Sequence, residues 1–480
     1  MAYNQVTPEI IAMLEKIVPG RVISGDNVNP DYSRDEMPFY GTNMPAVTID
    51  VLTTEEVSEI MKVCYANNIP VTTRGAGTGL AGGSVPMLGG VVICTARMNK
   101  IISFDLEHFG VVTQPGVFIK DLKAAALEHG LFYPPDPAQP LGSIGGNVST
   151  NAGGMRAIKY GVTRDYVRGL TVVLPDGEIL KIGANVAKTS TGYNLCQLIT
   201  GSEGTLGIIT ELMLKLIKAP KHDVTILVPF RNLDIALKCV PKIFTNSFRP
   251  TAVEFFEKDM LLMTERFLGK ETLIKEVNGI PVDAYLIIML DGDSMDEIEP
   301  HIERLSEFLL AEGALDVLIA DTPSKKNRIW DLYGALMPAM LETYRLFDEN
   351  DVVVPINRIA EYIQFMSEDA KKYDFDIHYL GHAGDGNVHI FGVSNTMEAE
   401  EFRHQIHLWM TAMYDRAKEM GGQLSGEHGI GFGKIDYFRD FIGARNVEIH
   451  KGIKKVFDPK LILNPGKVAF KFGELETSAA

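Results

Sequence analysis

The chain has 480 residues, 46% of them hydrophobic and 22% charged, which is enough apolar content for a sizeable core and a length that suggests about two to four domains. A net charge of −16 leaves no basic field to meet a phosphate backbone and excludes a nucleic-acid role. Cys64, Cys94, Cys196 and Cys239 are scattered, lie in apolar contexts and form no Cys-x-x-Cys pair, so buried free thiols are expected and an iron–sulfur cluster on this chain is excluded.

The opening residues, Met1-Ala-Tyr-Asn-Gln-Val, carry no basic stretch ahead of an apolar core, and no segment approaches the ~20 apolar residues of a membrane span, so a cytoplasmic location is expected. Residues 1–45 predict a helix over 8–17 and an extended arm. Residues 54–67 are amphipathic and open on a Thr54 cap, with Glu55 and Glu56 at the positive helix end. Strands at 71–73, 90–94 and 111–114 and a helix over 118–129 follow, the alternation of an α/β domain.

Between the strands at 71–73 and 90–94 runs Arg74-Gly75-Ala-Gly77-Thr78-Gly79-Leu80-Ala-Gly82-Gly83-Ser84-Val-Pro86, with five glycines in nine positions. A backbone this bare curls tightly and turns its N–H groups toward an anion, with Arg74, Thr78 and Ser84 alongside, as in a pyrophosphate cradle. Gly77, Gly79 and Gly82 also match the spacing of a dinucleotide fingerprint, but a strand follows where that motif needs a helix, so a Rossmann unit and nicotinamide binding fail on context. Taken alone, the run is equally a bare surface loop.

A second stretch over 134–154 holds Pro135, Asp136, Gly142, Ser143, Gly145, Gly146, Asn147, Thr150, Asn151 and Gly153. Stiff proline turns with glycines and small polar side chains suit a wall lying flat against a large planar cofactor. The third, over 200–210, holds Glu203, Gly204, Gly207, Ile208 and Ile209. Three such stretches in one half-chain argue against chance loop composition.

After a boundary at 215–220 come a strand at 225–228, a helix from Asn232, a strand at 284–290 and helices over 296–312 and 401–420. Within this half, His382-Ala-Gly-Asp-Gly-Asn387-Val-His389 follows an apolar strand, and Gly426-Glu427-His428-Gly429 comes about forty residues later. Seven positions apart, the two imidazoles would face opposite ways on an unbroken strand. The Gly384-Asp385-Gly386 turn breaks that strand and lets them converge. Two imidazoles and a carboxylate suit a borderline divalent ion such as Zn, Mn or Fe with positions open for a substrate, but the ligand pattern is not one of the short regular ones and spacing alone favours ordinary core histidines.

Together these motifs resemble the FAD-linked oxidases of the vanillyl-alcohol oxidase type, in the D-2-hydroxyacid dehydrogenase branch that includes D-lactate dehydrogenases and the flavin subunit of glycolate oxidase. The resemblance runs from about Thr48 to Val468. It implies an α+β architecture, with an FAD-binding domain of two α/β subdomains over 46–220, an α+β substrate cap over 221–424, and a segment over 425–480 that returns to the flavin. Asn464-Pro465-Gly466-Lys467 is similar to the family's closing motif. The diphosphate is expected on residues 74–83, and the other two stretches with Asn464 along the rest of the cofactor. No histidine lies between Arg74 and Pro86, so the FAD is expected to be non-covalent.

By the same resemblance His382, His389 and Glu427 are metal ligands, and Asn387 contacts the substrate. His428 is the base that takes the 2-hydroxyl proton, a task that suits an imidazole. Metal-assisted proton abstraction and hydride transfer from C2 to flavin N5 would convert a D-2-hydroxyacid, D-lactate first, to the 2-oxoacid. Electrons would leave to a soluble partner, an electron-transferring flavoprotein or an iron–sulfur subunit. The alternatives are glycolate or another 2-hydroxyacid, or an FAD-containing electron-transfer subunit without turnover. One departure stands out: relatives carry an arginine three residues after the cap-helix tryptophan, where it grips the substrate carboxylate. In Arg328-Ile-Trp330-Asp-Leu-Tyr333, Tyr333 occupies that position and Arg328 falls on another helix face. The tail from Gly473 is expected to be loose.

Overall fold

The computed structural model describes residues 3–477 and divides into two compact units, Met1–Ala152 with Val162–Ala219 and Glu427–Ala480, and Gly153–Gly161 with Pro220–Gly426. In the first unit, helix Pro8–Ile17 starts on Thr7, whose hydroxyl accepts from Ile10 N, and buries Ile10 and Leu14 in the core. The N-terminal arm is thus part of this unit: strand Val22–Ser24 pairs antiparallel with Val47–Asp50. Val47–Asp50, Val91–Cys94 and Val71–Arg74 complete a four-stranded sheet as parallel neighbours. Val91–Cys94, between two strands, is buried at every position, as a covered parallel strand should be.

Helix Thr54–Ala66 crosses from Val47–Asp50 to Val71–Arg74 and lays Val57, Ile60, Met61 and Cys64 into the same core. Its cap is Thr53, which accepts from Glu56 N at 3.2 Å, and not Thr54, whose hydroxyl donates to Thr210 at 3.0 Å. The second subdomain is a five-stranded antiparallel sheet in the order Ile101–Asp105, Gly110–Thr113, Ile208–Lys215, Val167–Val173, Ile179–Gly183. Helices Ile119–Glu128 and Ile144–Thr150 share its core through Leu122, Ala126, Ile144 and Val148.

The C-terminal segment belongs to this unit, with Leu463 bridging Val71 in parallel and Ile462 buried beside it. Helix Phe472–Thr477 replaces most of the expected loose tail, because Glu474 pairs with Arg439 at 2.7 Å and Lys451 at 2.9 Å and Leu475 is buried. Residues 478–480 of that tail lie outside the described residues. All four cysteines are buried and free.

The second unit is built on a seven-stranded antiparallel sheet ordered Leu318–Ala320, His222–Phe230, Ala284–Gly292, Ala252–Glu257, Asp376–His382, Asn387–Ser394, Leu346–Val353. Side chains alternate between its faces. On one face Phe256, Tyr285, Ile287 and Phe391 pack with Met260 and Leu261 of helix Lys258–Leu268 and with Ile329, Leu332 and Leu336 of helix Pro323–Thr343. On the other, Gly392 leaves room for Ile406 and Trp409 of helix Ala399–Glu419. The result is a sheet with helices on both faces.

Candidate functional site

Arg74 ends its strand, and the loop after it has contacts too close for side chains. A Cβ on Gly75 would lie 2.2 Å from Ser143 Oγ, and one on Gly77, at φ +79°, 2.1 Å from the Arg74 guanidinium. Arg74 Nη1 donates to Arg34 O at 2.6 Å. Asp35 holds the loop by accepting from Gly82 N at 2.7 Å, and Gly79 O accepts from Glu36 N at 3.0 Å. Among the described residues no hydrogen bond takes up the N–H groups of Gly77, Thr78, Gly79 and Leu80. Four consecutive amide donors beside an arginine make an anion cradle, and this fits a diphosphate.

Ser143 joins the first two glycine stretches. Its Oγ accepts from Ala76 N at 3.4 Å and, as the cap of Ile144–Thr150, from Gly146 N at 3.3 Å. Gly145 N donates to Pro115 O at 2.8 Å, and a Cβ there would lie 2.4 Å from Pro115. Asn147 Nδ2 is buried and finds no partner among the described residues, the kind of donor a bound heteroatom satisfies. Thr150 Oγ1 donates to Gly146 O, and Asn151, at φ +57°, ends the helix and accepts from Arg164 N. Pro135 and Gly142 are buried, Asp136 pairs with Lys123, and Gly153 falls in the second unit.

The third stretch is tied to the C-terminal segment by buried charge. Glu203, at φ +53° and followed by Gly204 at φ +67°, accepts from Ile430 N at 2.8 Å and Gly431 N at 2.6 Å; burial pushes its carboxyl pKa up. Asn464 Nδ2 donates to Gly83 O at 2.9 Å and Glu203 O at 2.7 Å. Lys467 Nζ donates to Gly83 O, Val85 O and Asn464 Oδ1, and burial pushes its pKa down to about 7. Gly207, Ile208 and Ile209 serve packing: a Cβ on Gly207 would lie 2.3 Å from Val172, and the two isoleucines enter the two cores.

In the second unit the Gly384-Asp385-Gly386 turn makes a hairpin of Asp376–His382 and Asn387–Ser394. Its register pairs His382 with Asn387 and Leu380 with His389, so His382, Asn387 and His389 share one sheet face and the imidazole centroids lie 5.3 Å apart. Neighbouring strands add Glu254 opposite His382 and Asp351 opposite His389. Glu254 Oε2 takes His382 Nδ1 at 2.5 Å, and Glu349 Oε1 lies 3.3 Å from His389 Nδ1. The Glu254 carboxylate on His382 Nδ1 suits an Nδ1–H tautomer with the lone pair on Nε2, the arrangement of a metal-ligating histidine, whereas Glu349 is only near His389 Nδ1, without hydrogen-bond geometry. The donor set therefore fits a divalent ion.

Asn387 Nδ2 donates to Val352 O at 3.3 Å, and Gly426 packs so tightly on Asn387 that a Cβ would lie 2.7 Å from its amide. Asp351 accepts from Gly426 N at 2.9 Å and from Ser425 Oγ at 3.1 Å. The segment carrying Glu427 and His428 is therefore anchored by Asp351 at Gly426, and by Glu203 at Ile430 and Gly431. Tyr333 is buried with its hydroxyl on Glu254. Sequence reasoning missed Asp35, Glu254, Glu349, Asp351 and Lys467 as supports. A carboxylate inside the apolar strand Ala252–Glu257 and an acidic run inside Leu346–Val353 were the available signals.

A family model described as an FAD binding domain matches residues 45–183, and one described as FAD linked oxidases, C-terminal domain, matches 219–468. A D-lactate dehydrogenase of Anaerostipes hadrus is 50% identical over 98% of this chain and 99% of that protein. A glycolate oxidase subunit GlcD of Bacillus subtilis is 35% identical over 92% of each. Among solved structures, p-cresol methylhydroxylase with substrate bound superposes at a TM-score of 0.76 and 17% identity over 97% of each chain, and a 4-ethylphenol oxidase from Gulosibacter chungangensis at 0.76 and 17% over 99% and 100%; these show the fold alone. An anion cradle among three glycine stretches and a sheet-backed second unit are thus parts of a known architecture, and the chain belongs to the FAD-linked oxidases with the vanillyl-alcohol oxidase fold, as an FAD-dependent oxidoreductase of the branch that holds D-lactate dehydrogenases and GlcD subunits.

Proposed function

We propose that this chain oxidises a D-2-hydroxyacid, D-lactate first, to its 2-oxoacid, and that His382, His389 and Glu427 hold a divalent ion of the Zn, Mn or Fe type. The half-identical D-lactate dehydrogenase carries the substrate reading. When bound, FAD supplies a two-electron acceptor and the ion a Lewis acid that favours loss of the hydroxyl proton. His428 takes that proton as general base, and Asn387 orients the substrate beside the two imidazoles. The Glu254 contact on His382 Nδ1 supports the ligand assignment, because a carboxylate there orients the ring and raises its basicity.

In this reading the chain would hold FAD without a covalent bond, and a soluble electron-transferring flavoprotein or iron–sulfur subunit in the cytoplasm would be the electron acceptor. No described helix is long and apolar enough to cross a membrane. The second reading, a glycolate dehydrogenase subunit, rests on the GlcD likeness and on Tyr333 in the position of the arginine.

An anaerobic visible spectrum of the holoprotein with added divalent metal tests both readings against D-lactate, L-lactate and glycolate. D-lactate is expected to bleach the flavin band, and His428→Ala to keep FAD while slowing bleaching by orders of magnitude. Bleaching by glycolate alone selects the second reading. A flavin that none of them reduces overturns both.

A further inference from the structure

We infer that Tyr333 is a positioning residue that acts through Glu254 on His382, and that it takes no part in holding the substrate's carboxylate. The inference rests on the reading of His382 as a metal ligand.

Tyr333 lies on the buried stripe of helix Pro323–Thr343, with Phe256 tilted at 6.3 Å and Trp330 edge-on at 5.9 Å. Trp330 Nε1 donates to Thr225 Oγ1 at 2.9 Å, which fixes the helix on the sheet. The Tyr333 hydroxyl donates to Glu254 Oε2 at 2.5 Å, the same oxygen that takes His382 Nδ1. Glu254 is wholly buried on a central strand. Glu254 Oε2 accepts from the Tyr333 hydroxyl, and an Nδ1–H of His382 aimed at the same oxygen leaves that ring's lone pair on Nε2.

Two donors on one oxygen hold the carboxylate in the orientation that grips the ring. Without the hydroxyl one donor is lost, the carboxylate can turn on its side-chain torsions, and His382 loses its fixed plane. With its one proton on a buried carboxylate, the hydroxyl has none to donate to a substrate carboxylate. An arginine placed here would meet Glu254 first, in a bidentate pair, and draw it from His382.

The test uses the FAD-loaded protein stripped of metal. Zinc affinity is measured against a chromophoric chelator, the d–d spectrum is recorded after cobalt loading, and the Nδ1–H resonance of His382 is followed in protein labelled with ¹⁵N-histidine. Tyr333→Phe keeps the ring and is expected to weaken zinc binding about tenfold, and Glu254→Gln by about 10- to 100-fold. Both should change the cobalt spectrum and shift the Nδ1–H signal, with FAD content unchanged. Tyr333→Arg is expected to weaken zinc binding and bring no gain with D-lactate. Zinc affinity and Nδ1–H signal unmoved by Tyr333→Phe would overturn the inference, even if its melting temperature fell. A wild type that binds no zinc, or a His382→Ala that binds it normally, would instead overturn the ligand reading on which the inference rests.

Discussion

Lys467 is an amine buried among carbonyls, and its burial outweighs the pull of Glu203 and Asp35, lowering its pKa from the ordinary 10.5 to about 7. Between those two values the unfolded chain binds the extra proton. The stability contributed by this group therefore rises with pH, is complete above 10.5 and is lost as pH falls through about 7. Glu203 and Asp35 are pushed up by burial, so their contributions run the other way, complete in acid and lost as pH rises through the raised values. Lys467→Met should cost about 1–3 kcal/mol through carbonyls left without a donor. The gap in melting temperature between wild type and variant is expected to widen from pH 7 toward pH 10. A gap constant with pH would mean that the buried amine keeps its proton throughout.

At the scale of an element, the hairpin of Asp376–His382 and Asn387–Ser394 converts a local turn into a shared face. Gly386 sits at φ +91°, and a Cβ there would lie 2.1 Å from Val354 O, while Asp385 Oδ1 accepts from Asn387 N at 3.1 Å to close the turn. Gly386→Ala would meet both a left-handed backbone and a fixed carbonyl, so a loss of about 1–3 kcal/mol is expected. A thermal melt of the FAD-loaded protein checks it, and an unchanged melting temperature would show that the turn relaxes without cost. The helix at 54–66 shows how fine such local choices are. Two adjacent threonines each suit a cap, and the one that caps is Thr53, because Thr54 faces the hydroxyl of Thr210 on a distant strand.

At the scale of the whole molecule, each unit has its own hydrophobic core, and the anion cradle lies wholly in the first. A ligand that binds only the folded state stabilises the segments that hold it. Removing FAD is expected to speed amide exchange in residues 75–83, 143–151 and 203–204 by tenfold or more, on the order of the ~1.4 kcal/mol that a tenfold change represents. The central strands Ala284–Gly292 and Ala252–Glu257 of the second unit should keep their protection. Hydrogen exchange read by mass spectrometry decides this, and equal loss in both units would mean that the cofactor stabilises the molecule globally.

The sequence by itself determined the features that are local. Three glycine stretches, the turn between His382 and His389 and the alternation of strand and helix were legible because each depends on residues within a few positions of one another. The same holds for the break in the dinucleotide pattern after Gly82, which needs only the next strand to be seen. Tyr333 was legible as a departure, but not its task. Tertiary structure decided which groups support the site: Glu254 lies 128 positions from His382, Asp35 47 positions from Gly82, and Lys467 384 positions from Gly83. Such pairings follow from strand order and register, which bring buried charges together only once the sheets are complete. A carboxylate inside an apolar strand can be seen in the sequence, but the partner that makes its burial tolerable is chosen by the fold.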